Sequence, residues 1–164
     1  MFDKFGEMNS YKEINTLAEN LFNEGDIESL RNMATENGIS EDFVELYLSG
    51  EIMELCDDQT AAYGKIDVEV KELKLKGIME DWVEYLRVQI SDNDLLAHQV
   101  RKKGKSLKDC IAALLKWSFK NQVPVDKEIL KVAEVTAGKV TLGIPNMGKA
   151  KEIIRNYYLG GEKE

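Results

Sequence analysis

Residues 143–150 read Gly-Ile-Pro-Asn-Met-Gly-Lys-Ala. Glycine, four residues, glycine and lysine is the spacing of a loop whose backbone N–H groups cradle phosphates while the lysine reaches the outer ones. That chemistry also needs Ser or Thr after the lysine to hold magnesium, and a parallel sheet behind the loop. Ala150 stands where the hydroxyl is required, so nucleotide hydrolysis is not expected, and Asn146 reads instead as the cap of a last helix. His98 is the only histidine, and no serine or cysteine stands at a characteristic spacing from it. Cys56 and Cys110 belong to no CxxC pair and are expected to be reduced and packed as small hydrophobes. Acidic pairs such as Asp57-Asp58 and Glu80-Asp81 lack a His or Cys cluster, and a solvated face explains them better than a metal site. The expectation is a protein with no catalytic residue, metal or cofactor, and hence not an enzyme.

Charge offers a different chemistry. The net −8 divides into 23 acidic and 8 basic side chains over residues 1–94, net −15, and 7 acidic and 14 basic over residues 95–164, net +7. Arg101, Lys102, Lys103, Lys105 and Lys108 fall within eight positions, and Lys116 and Lys120 continue them at four-residue spacing. Such a patch suits a nucleic-acid backbone, DNA or RNA, with Ser106 at a helix N-terminus adding backbone donors. The acidic half carries Glu41, Asp42, Glu45, Glu51, Glu54, Asp57 and Asp58 within eighteen positions.

Residues 27–50 also fit a helix-turn-helix template, with Leu30 first, Ala34 at the small fifth position, Gly38 in the turn, then Ile39 and Val44. The second helix, SEDFVELYLSG, presents Glu41, Asp42 and Glu45 where a DNA reader needs donors and positive charge. Phosphates would repel it, so a structural corner is the better reading.

The elements that would position these residues read as helices. Only two prolines occur, and 43% of residues are hydrophobic, which fits a folded helical chain. Ser10 with Glu13 opens a first helix stopped at Gly25, Asp26 caps a second ending at Gly38, and Ser40 starts a third stopped by Gly50. Residues 58–90 are expected to form one long helix, bent at Gly77, although Ile66, Val68 and Val70 also hint at a two-residue period. A further helix runs from Asp92 past Val100. Ser106 caps the next, with Leu107, Cys110, Ile111, Leu114, Leu115 and Phe119 expected inside. Asp126 caps a short helix, residues 139–144 read as a brief extended piece, and a last helix runs from about Asn146 to Tyr158, with Gly160 and Gly161 behind it. The expected fold is all-α: an acidic N-terminal three-helix unit over residues 1–57, then a long helix and a basic C-terminal bundle over 58–164. Trp82 and Tyr85 are expected in the monomer core, a homodimer through them being the alternative. The N-terminal stretch has neither the basic nor the apolar region of a secretory signal, and no apolar run approaches the roughly 20 residues of a membrane span, so a cytoplasmic protein is expected.

The second half carries a resemblance. KSLKDCIAALLKWSFKNQ, VPVDKEILKVA and the terminal RNYYLGG resemble the PcfK-like family, small proteins of conjugative elements and phages of gut Firmicutes. The stretch LAENLFNEGDIESLRNMATENGISEDFVELYLSG is similar to the front part of anti-CRISPR relatives linked to that family. The resemblance implies stoichiometric inhibition of the type II CRISPR effector, a single-protein nuclease with guide RNA, in a bacterial host cell. It implies no catalytic residues. On this reading the face of Glu41, Asp42, Glu45, Glu51, Glu54, Asp57 and Asp58 is expected to contact the partner nuclease in a positively charged channel. The alternative is that the basic patch grips guide RNA or DNA while another face holds the protein. The competing reading is an accessory protein of plasmid transfer or phage replication that binds nucleic acid through the basic half.

Overall fold

In a computed structural model, residues 4–160 are described, and Gly161 lies outside them. Ser10 accepts a hydrogen bond from the Glu13 amide and opens α1 (Tyr11–Asn23), while the Glu13 carboxylate reaches back to the Asn9 amide. Asp26 caps α2 (Ile27–Glu36) by accepting from Ser29, and Ser40 precedes α3 (Glu41–Leu48) without a side-chain cap bond. Gly25, Gly38 and Gly50 all take the left-handed conformation at the helix ends where the sequence predicts stops. Inward-facing Ile14, Ala18, Leu30, Met33, Ala34 and Val44 close this unit into its own apolar cluster.

The expected long helix is two helices. α4 (Asp58–Leu73) ends at Lys74, which adopts φ 51°, and α5 (Ile78–Asp92) begins at Gly77, whose φ of 62° and ψ of −132° suit only glycine. The Glu80 carboxylate accepts from the Gly77 amide and fixes the new start. Two closely spaced breaks let α5 fold back against α4. The weak periodicity of 58–73 has a physical cause, because α4 is covered on two sides. Ala61 belongs to the N-terminal cluster, while Ala62 and Ile66 belong to the second one.

Asn93 ends α5 and caps α6 (Asp94–Arg101), which lies along α4. Ser106 caps α7 (Leu107–Lys120), and Asn146 caps α9 (Met147–Leu159); these two helices pack together and complete the second cluster with Leu86, Ile90, Leu114, Ile154 and Tyr158. Between them the chain leaves the body. β1 (Val123–Pro124) pairs antiparallel with β2 (Thr141–Leu142), with α8 (Lys127–Val132) carried between the strands. The extended piece expected at 139–144 is thus a two-residue strand, and the architecture is all-α apart from this ribbon. No helix among the described residues is long and apolar enough to cross a membrane. Trp82 is buried in the second cluster and Tyr85 packs against it.

Candidate functional site

Within the basic run, Arg101 is fully buried rather than part of a surface patch. Its Nε donates to the Met8 carbonyl (3.1 Å), one Nη to the Ala61 carbonyl (3.2 Å), and its guanidinium also bonds the Asn37 side chain. Asn37 is itself buried in the α2–α3 turn. One side chain therefore ties α6 to the N-terminal unit and to α4, and burial brings its pKa down to about 10, still charged at neutral pH.

Two more buried charges hold the loop that follows. Lys65 donates to the Lys102 carbonyl (3.0 Å) and the Lys105 carbonyl (2.6 Å) and pairs with Glu7 (2.5 Å). Four residues along α4, Glu69 accepts the Leu107 amide (3.1 Å), which is an otherwise unpaired donor of the first turn of α7. Burial raises the Glu69 pKa to about 7, outweighing the nearby Lys65 ammonium. Lys105 is also structural: it donates to the Tyr157 carbonyl (2.8 Å) and lies over the Tyr157 ring, while the Ser106 amide donates to the Tyr157 hydroxyl (2.8 Å). Of the predicted patch, Lys103, Lys108, Lys116 and Lys120 are exposed, and Lys102 is half-buried. What remains is a row of lysines along the loop and α7, on a backbone fixed from beneath.

The acidic residues separate in the same way. Arg31 of α2 pairs with Glu41 and, at 2.6 Å, with Glu45, so these carboxylates lock α3 onto α2. Asp57 accepts the Thr60 amide (2.7 Å) as the cap of α4, and half-buried Asp58 faces His98 of α6 (3.5 Å). Asp42, Glu51 and Glu54 stay exposed, Glu51 accepting from the Ser49 hydroxyl. The connector carrying Glu51 and Glu54 is pinned because Asn15 both donates to the Cys56 carbonyl and accepts from the Cys56 amide. Beside it opens a cleft of about 700 Å³ lined by Asn15, Glu19, Phe22, Tyr47, Met53 and Glu54. The helix-turn-helix positions Leu30, Ala34, Ile39 and Val44 are all buried.

The remaining candidates hold no reactive arrangement. Both cysteines are buried free thiols whose pKa is pushed up to about 12 by burial, the opposite of an activated nucleophile. At residues 143–150, Asn146 accepts the Lys149 amide, and the Lys149 ammonium pairs with Glu152 (3.0 Å). The strand before this turn is antiparallel, unlike that of a phosphate-binding loop.

Sequence periodicity places Leu115 and Phe119 inside. They are 54% and 74% exposed, and line a groove with Leu142 and Ile144 of the following ribbon instead of a closed core. Ile129, Val132, Leu142 and Ile144 are exposed with them, an apolar surface that periodicity does not reveal. The available signal is the run of Gly138, Gly143 and Pro145 around short apolar pieces, too little sequence to form a core of its own. No protein-family model matches the chain, and neither a curated protein nor a solved structure matches it.

Proposed function

We propose that this is a non-enzymatic binding protein of the bacterial cytoplasm that inhibits the type II RNA-guided DNA nuclease by stoichiometric binding, without a cofactor. The observation that carries the reading is the rigid presentation of exposed carboxylates: Asp42 on a helix locked by Arg31, and Glu51 and Glu54 on a connector pinned by Asn15. The nuclease holds guide and target in positively charged channels, and fixed carboxylates compete for such a channel without the ordering cost that a mobile acidic tail would meet. The sequence resemblance to anti-CRISPR relatives supports the same reading.

The test is plasmid cleavage by the guide-loaded nuclease with equimolar protein. Cleavage is expected to stop, and Asp42→Lys with Glu51→Lys and Glu54→Lys to weaken inhibition by about tenfold or more, while Lys103→Glu with Lys108→Glu leaves it intact. Full cleavage at several-fold molar excess across several nuclease orthologues would overturn the proposal.

A second reading rests on the exposed row Lys103, Lys108, Lys116 and Lys120: a mobile-element accessory protein that grips a nucleic-acid backbone. It requires affinity for DNA or RNA that falls steeply with salt and is lost in the Lys103→Glu, Lys108→Glu double variant.

A further inference from the structure

A groove of about 430 Å³ runs between the first turn of α5, the outer face of α7 and the end of the ribbon. Its walls are Ile78, Ile111, Leu115, Phe119, Leu142 and Ile144, and Leu142 and Ile144 are each 64% exposed. Contiguous apolar surface of this kind marks an interaction site when polar residues border it. The far wall is built rather than loosely laid. Thr141 donates to the Gln122 side chain (2.7 Å), Gln122 donates to the Ser118 carbonyl (2.6 Å), and Gly143 lies so close to α7 that a Cβ would strike Ser118 and Gln122.

Charge at its border says what the groove takes. Trp82 forms part of its lining and is 7% exposed. Lys116 and Lys120 follow Leu115 and Phe119 at the same four-residue spacing and stay exposed, with no ion pair among the described residues. On the opposite side, Glu80 and Asp81 are both exposed, Glu80 accepting from the Gly77 amide.

We infer that the groove receives an acidic amphipathic helix of a partner protein. The lining positions of α7, from Ile111 to Phe119, extend for about 12 Å, a little over two helical turns. Apolar side chains of the incoming helix at three- and four-residue spacing fill the groove, and its carboxylates meet Lys116 and Lys120. The lysine row then acts here as a protein contact, and the groove works independently of the acidic face assigned to the nuclease.

The experiment is fluorescence polarisation of the full chain with two labelled synthetic helical peptides that share one leucine pattern, one with glutamates and one with lysines at the polar positions. The glutamate peptide is expected to bind about tenfold or more tightly than its lysine counterpart. Phe119→Asp and the Lys116→Glu, Lys120→Glu pair are each expected to weaken it by a similar factor. Phe119 is exposed, so its variant should keep the parent circular dichroism and melting temperature. Equal binding of the two peptides, or affinity indifferent to Phe119→Asp, would overturn the inference. So would a concentration-dependent dimer in sedimentation that Phe119→Asp abolishes, because the occupant would then be a second copy.

Discussion

Glu69 is the side chain whose titration has a sign that can be worked out from its surroundings. Its ordinary value is 4.5 and its value in the fold is about 7, so between these the unfolded chain releases its proton first. Raising the pH from about 4.5 to 7 therefore erodes stability at this position, and above 7 the loss is complete. Glu69→Gln retains an oxygen for the Leu107 amide and removes the ionisation. Urea unfolding should find the variant more stable than the parent by about 2–3 kcal/mol at pH 8 and nearly equal to it at pH 5, since each tenfold difference in proton affinity between the folded and unfolded chain is worth about 1.4 kcal/mol. Equal differences at both pH values would exclude the carboxylate as their source. Arg101 shows the same dependence on surroundings. Its place in a lysine-rich run suggests a surface cation, and run composition says nothing about which member turns inward.

Where elements meet, α4 is decided by a contact between two glycines. Gly38, in the α2–α3 turn, and Gly64, in the middle of α4, approach so closely that a Cβ on Gly38 would strike the Gly64 backbone and one on Gly64 the Asn37 carbonyl. Ala in place of Gly within an exposed helix normally stabilises by up to about 1 kcal/mol. Gly64→Ala is expected to do the reverse and destabilise by about 2 kcal/mol, because backbone on both sides must move apart. Thermal unfolding gives the sign directly, and a rise in melting temperature would contradict the packing. The helix caps, by contrast, are legible residue by residue: Ser10, Asp26, Ser106, Asp126 and Asn146 all cap as their spacing predicts. Legibility fails at 74–77, where Lys74 takes a left-handed conformation that its side chain does not announce.

For the molecule as a whole, the two apolar clusters abut at Ala61 and Ala62, and Arg101 and Lys65 carry bonds across that seam. The N-terminal unit thus depends on α4 for Ala61, on Gly64 for the seat of its turn, and on α6 for the partner of buried Asn37. A fragment of residues 1–57 leaves Asn37 and the inner faces of α1 and α2 uncovered. It should show little helical circular dichroism at 20 °C, and a cooperative melt from it alone would show that the seam is dispensable.

Helix caps, glycine stops and the acidic surface of α3 follow from the sequence, because each depends on residues within about one helical turn of one another. The separation of charge between the halves is legible for the same reason: it is a sum over neighbours. Which charges face water is settled only by the tertiary structure. Arg101, Lys65 and Glu69 turn inward where distant backbone carbonyls and amides wait for them, and Glu41 and Glu45 are taken up by Arg31. The groove over Trp82 is of the same kind, since Leu142 and Ile144, distant from α5 in the chain, meet α5 and α7 to form it.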